Sequence, residues 1–189
     1  MNMSIPNLLT LLRILLIPVF VVVFYLPMSW AHMLCTAIFV LAALTDWLDG
    51  YLARRWNETS AFGAFLDPVA DKLMVATALI LIVDANPTDY NGIWLAIPAA
   101  VIVGREITIS ALREWMAEIG ASAKVAVSML GKIKTTAQMA ALILLLYQMP
   151  IGPLPIAEIG FYLLYISAIL TLWSMICYLR VAWPVLKGR

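Results

Sequence analysis

Residues 45–72 read TDWLDGYLARRWNETSAFGAFLDPVADK and place four carboxylates, Asp46, Asp49, Asp67 and Asp71, in a chain that is otherwise mostly apolar. On a helix, residues three and four apart share a face. The first half of the stretch therefore sets Asp46, Asp49, Gly50 and Ala53 on one stripe, and the second half sets Gly63, Asp67 and Asp71 on another. Two helices that each carry a pair of acids beside glycine describe a site. Carboxylates can hold divalent cations, and glycine lets a bulky ligand lie close to the backbone.

The surroundings decide what kind of protein holds that site. Of 189 residues, 64% are hydrophobic and 12% charged, about half the usual charged share. So little polar surface could not cover a soluble core of this size, which points to a multispan all-α membrane protein. The net charge of +1 gives no electrostatic support for a nucleic-acid partner. Cys35 and Cys177 lie far apart in apolar runs and read as packing residues, with no disulfide or metal-thiolate framework. The N-terminus lacks a basic region followed by a small-residue cleavage site, so no removable signal peptide is expected.

In chain order, residues 2–12 form a short amphiphilic lead with Ser4, Asn7 and Thr10, and Pro6 suits a helix start. A first apolar span follows to about Leu26, broken by Pro27–Trp30, with Tyr25 and Trp30 placed as interface aromatics. The second span is expected from about Ala31 to Trp56, and the polar segment 57–60 leads to a third that ends near Val83. Thr59 or Ser60 could cap that third helix. Further spans are expected at about 93–116, 125–147 and 156–183, the last two separated by Pro150, Pro153 and Pro155. The reading is one domain, residues 1–189, with six transmembrane helices and no internal repeat.

In this layout all twelve Lys and Arg residues fall near one side, while the opposite turns carry Asp84, Asp89 and Glu158. The positive-inside rule makes the basic side cytoplasmic, with both termini and the aspartates.

A carboxylate within a span costs roughly 2.5–3.5 kcal/mol on insertion scales and is a functional candidate by default. Four together repel one another unless cations neutralise them. The plainer reading makes them snorkelling interface residues with Arg54, Arg55 and Lys72 as counter-ions, and makes Asp67–Pro68 a helix N-cap and first-turn pair. That pair would account for one aspartate only. All-oxygen donors favour Mg²⁺ or Mn²⁺ over zinc, and two ions sharing four acids can polarise a diphosphate. A second polar group, Arg105, Arg113, Lys132 and Lys134, is either ion-paired to Glu106 and Glu114 or forms a pocket for the phosphate of a small soluble molecule. His32 sits at an outer turn and reads as an interface residue.

The spacing D-x2-D-G-x2-A-R-x8-G-x3-D-x3-D resembles the signature of the CDP-alcohol phosphotransferases, membrane enzymes of phospholipid synthesis. The flanks PNLLTLLR, GREI, ALREWMAE and GKIKTTAQM are similar to bacterial members that make phosphatidylglycerophosphate. The resemblance implies that Asp46, Asp49, Asp67 and Asp71 hold metal and that Asp71 also takes a proton from the attacking hydroxyl. It implies that Gly50, Arg54, Ser60 and Gly63 contact the CDP part of the donor, with Asn7 a further contact or a cap. Arg105, Arg113 and Lys132, with Lys134, would hold the acceptor phosphate. The implied substrates are CDP-diacylglycerol and sn-glycerol 3-phosphate, in a homodimer of the bacterial inner (cytoplasmic) membrane. The aspartate motif reads only the donor, so inositol phosphate or another phospholipid stays open as acceptor. From another class, a divalent-cation transporter would use acids within spans. Against that stand the missing repeat and the position of the acids near one end. A purely structural scaffold leaves the motif unexplained.

Overall fold

The structure is a computed structural model that describes residues 5–56, 61–120, 129–149 and 151–186. Within the helices, the side chains of residues 5–7, 47, 49–56, 61, 62, 64, 65, 129–132, 181 and 184–186 lie outside that description. Among the described residues there are six helices and no strand: α1 (Ile5–Phe24), α2 (Ala31–Trp56), α3 (Ala61–Ala85), α4 (Ile93–Glu118), α5 (Met129–Tyr147) and α6 (Ile156–Leu186). The shortest has 19 residues, about 28 Å at 1.5 Å per residue, close to the thickness of a bilayer's hydrocarbon core.

From Ile5 on, the amphiphilic lead forms the opening turns of α1 and runs unbroken into the apolar segment, while residues 2–4 of the lead lie outside the described residues. Residues 125–128, expected at the start of the fifth span, lie outside the described residues. Among the described residues, α4 and α6 are long and apolar enough to cross a membrane on their own, while 8–24, 31–46 and 133–147 are shorter apolar stretches. Leu15, Val22, Leu41, Ile80, Ile107, Ile169 and Trp173 point outward and are exposed. Apolar surface spread this widely around a bundle is what lipid covers. The chain is a polytopic membrane protein.

The bundle is held by Phe20, Phe39, Leu79, Ile82, Leu95, Ile102, Leu142, Leu145 and Leu164, which form one buried cluster contributed by all six helices. The most extensive packing is between α5 and α6, followed by α1 on α2 and α3. Gly160 makes the first of these possible. A Cβ there would stand 2.9 Å from Leu145 Cγ and 3.3 Å from the Ala141 carbonyl oxygen. Pro98 lies inside α4 and cannot donate to the carbonyl of Trp94 four residues earlier. The Tyr165 hydroxyl of α6 donates to that carbonyl instead, at 2.8 Å.

At the end away from the basic residues, the turns are tied together. The Tyr25 hydroxyl donates to Asp84 Oδ2 at 2.8 Å. That bond, lost on ionisation, is the main reason the Tyr25 pKa lies above its ordinary value. Tyr90 packs on the Phe161 ring at 4.7 Å, and His32 meets Phe24 edge to face. Cys35 is buried, Cys177 is exposed, and both thiols are free.

Candidate active site

The aspartates lie on α2 and α3, where these helices meet α1, α4 and α5. A cavity of about 780 Å³ opens between α2, α3, α4 and α5. Its polar end is lined by Asp46, Asp71, Lys72, Glu106, Lys134 and Gln138, and its walls continue as Val75, Ala76, Ile102, Val103, Met139 and Ile143. Along α5 the lining passes from Lys134 through Thr135 and Gln138 to Met139 and Ile143. The space is therefore polar at one end and apolar along the other.

Asp46 receives Arg13 Nη1 of α1 on its Oδ1 at 2.6 Å. Asp67 receives the Thr10 hydroxyl, also from α1, on its Oδ1. Asp71, one turn beyond Asp67 on α3, shares the cavity with Asp46. Asp49 follows Asp46 on α2, but its side chain, like those of Gly50 and Arg54, lies outside the described residues. The same holds for Asn7 and Lys132, while Ser60 is outside them altogether. Gly63 is buried in the first turn of α3.

One plainer reading is corrected by this geometry. Pro68 is inside α3, which starts at Ala61, so Asp67 does not cap a helix. The upstream residues already carry the helix, and Pro68 only leaves the Ala64 carbonyl without its usual donor. Arg13 of α1 is an ion-pair partner of Asp46, and Lys72 donates to the Ser110 hydroxyl of α4, while the side chains of Arg54 and Arg55 lie outside the described residues. Arg13 was visible only as one of the basic residues on one side, because its contact depends on how α1 lies against α2.

The cationic group divides. Glu106 Oε1 takes Lys134 Nζ at 2.8 Å and Arg105 Nη1 at 3.0 Å, and Arg105 Nη2 also donates to Ser174 of α6 at 3.0 Å. Glu106 thus ties α4 to α5 beside Asp71, with two nearly buried cations on one carboxylate oxygen. Arg113 stands eight residues beyond Arg105 on α4, about 12 Å by helical rise, with its guanidinium 5.4 Å from the centre of the Tyr178 ring.

The donor set suits a hard divalent cation: carboxylate oxygens only, two of them from Asp46 and Asp71 on one cavity. Among the described residues no three acidic, His or Cys side chains converge as a ready metal cluster. Asp49, whose side chain lies outside that set, is the one acid of the motif this leaves out.

Comparison with known proteins identifies the family. The CDP-alcohol phosphatidyltransferase family profile matches residues 3–173. A CDP-diacylglycerol–glycerol-3-phosphate 3-phosphatidyltransferase of Pectobacterium atrosepticum is 58% identical over 183 residues, 96% of each chain. Proteins of the same description from Yersinia enterocolitica and Salmonella paratyphi A are 57% and 55% identical, covering 97% and 96% of both chains. Enzymes of this family are in general dependent on divalent metal. With a profile match over most of its length and relatives this similar from end to end, the chain belongs to the CDP-alcohol phosphatidyltransferase family.

Proposed function

We propose that this chain moves the phosphatidyl group of CDP-diacylglycerol to sn-glycerol 3-phosphate, giving phosphatidylglycerophosphate and CMP. The observation that carries the reading is the cavity whose acidic and basic end passes into apolar walls. It suits a donor with a diphosphate head and acyl chains. The full-length similarity to glycerol-3-phosphate phosphatidyltransferases supports this acceptor over inositol phosphate or a second phospholipid.

In this reading Asp46, Asp49, Asp67 and Asp71 hold Mg²⁺ or Mn²⁺, two ions in all. The metal supplies charge neutralisation to the diphosphate and to the departing CMP. Gly50 and Gly63 let the nucleotide approach the backbone, and Arg54, Ser60 and Asn7 offer donors to it. Arg105, Arg113, Lys132 and Lys134 hold the acceptor phosphate. The 1-hydroxyl oxygen bonds to the phosphorus bearing diacylglycerol, and Asp71 accepts its proton. The bond from that phosphorus to the bridging oxygen breaks, and this oxygen leaves with CMP. The domain is a single unit that acts as a homodimer in the bacterial inner membrane, with termini and site on the cytoplasmic side.

The test is CMP release from CDP-diacylglycerol in detergent micelles with Mg²⁺ or Mn²⁺. Release should require glycerol 3-phosphate and fail in Asp71→Asn. Release driven equally by inositol phosphate, or with no acceptor at all, would refute the assignment.

A further inference from the structure

On α1 the inward residues recur as Thr10, Arg13, Ile17, Phe20 and Phe24, at steps of three and four. That is the apolar stripe of a helix packed in a bundle. Its lower members are core residues, yet its upper two are a hydroxyl and a guanidinium, 0% and 1% exposed.

Stability does not explain them. Replacing a buried ion pair by apolar side chains of similar volume is often neutral or stabilising. Nor does Asp46 need Arg13 for solvation, since its side chain keeps 43% of its exposure. What the two residues share is their target. Thr10 donates to Oδ1 of Asp67 on α3, and Arg13 donates to Oδ1 of Asp46 on α2. One helix face thus engages one oxygen on each of two acids that stand on different helices.

We infer that Thr10 and Arg13 are positioning residues, which fix the carboxylates of Asp67 and Asp46 so that their remaining oxygens face a shared divalent cation. The inference rests on the metal-site reading above. It extends the metal-holding part of the site to a helix that contributes neither aspartate. Donors that orient metal-binding side chains in this way typically change metal affinity by about ten- to a hundredfold when removed.

Mn²⁺ binding to the purified, detergent-solubilised protein can be followed by electron paramagnetic resonance, with thermal unfolding recorded in parallel. Thr10→Val keeps shape and removes the hydroxyl, so it should weaken Mn²⁺ binding about tenfold or more without earlier melting. Thr10→Ser should recover most of the affinity. Arg13→Met should weaken binding similarly, and Arg13→Lys should restore part of it. Unchanged Mn²⁺ affinity in a folded Thr10→Val overturns the inference while leaving the metal site standing. Equal losses in Thr10→Val and Thr10→Ser, both melting early, overturn it in favour of plain packing. A wild type that binds no Mn²⁺ refutes the metal-site reading, and this inference with it.

Discussion

Gly160 and Gly104 provide a paired experiment in which the same substitution should act in opposite directions. Both lie within helices, where glycine costs about 1 kcal/mol relative to alanine. At Gly104 on α4 an added Cβ meets nothing within 4 Å. Gly104→Ala should therefore stabilise by up to about 1 kcal/mol. At Gly160 the new carbon would lie 2.9 Å from Leu145 Cγ, 3.1 Å from Leu144 Cβ and 3.3 Å from the Ala141 carbonyl oxygen. Leu145 is fully buried, and a helix carbonyl cannot step aside, so α6 must move off α5. Overpacking costs about 1–3 kcal/mol, and a backbone carbonyl with a buried side chain puts this site in the upper part of that range, about 2–3 kcal/mol, which exceeds the helix gain. A net loss of about 1–2 kcal/mol corresponds to a melting point lower by about 2–8 °C for a chain of this size. Thermal unfolding of both variants in one detergent, beside the wild type, is the assay. A Gly160→Ala protein that melts at or above the wild-type temperature would refute the claim that this glycine sets the α5–α6 distance.

The functional predictions turn on the cavity. Asp46→Ala, Asp49→Ala, Asp67→Ala and Asp71→Ala are each expected to lower transfer by about 10²–10³ or more while the protein still inserts, measured by CMP release. Arg105→Gln and Lys134→Gln should raise the KM for glycerol 3-phosphate about ten- to a hundredfold and leave the donor KM almost unchanged. If both constants stay put and the protein melts earlier, the pair to Glu106 is only structural. Arg113→Gln, with its side chain against Tyr178, should affect the acceptor KM less than Lys134→Gln does. Gly63→Leu, at a buried position, should weaken CDP-diacylglycerol binding, and an unassembled product would assign this glycine to helix packing.

The helix boundaries were legible where side chains punctuate the chain. The expected limits of the second span, near Ala31 and Trp56, match α2 because the break at Pro27–Trp30 and the polar segment after Trp56 bracket one apolar run. The aspartate stripes were legible because helical periodicity is local. Asp67 was ambiguous, since Asp–Pro fits both a helix start and a helix interior, and only the residues ahead of it settle which applies. Glu106 was visible as a possible partner, but its hold on both Arg105 and Lys134 depends on how α4 faces α5. Thr10 and Arg13 stayed hidden for the same reason: their partners lie 57 and 33 residues away, a distance no periodicity spans.

The hydrogen bond from Tyr165 to the Trp94 carbonyl has a bearing on the order of synthesis. A ribosome delivers α4 well before α6, so α4 enters the membrane with the gap left by Pro98 still open and with Arg105 lacking Ser174. Both are completed only when the last helix arrives. A nascent chain stopped before residue 156 would thus lack both of these bonds, a mark by which membrane quality control can recognise an unfinished chain. Its half-life in cells, compared with that of the full chain and of Tyr165→Phe, would measure how far completion depends on this one hydroxyl.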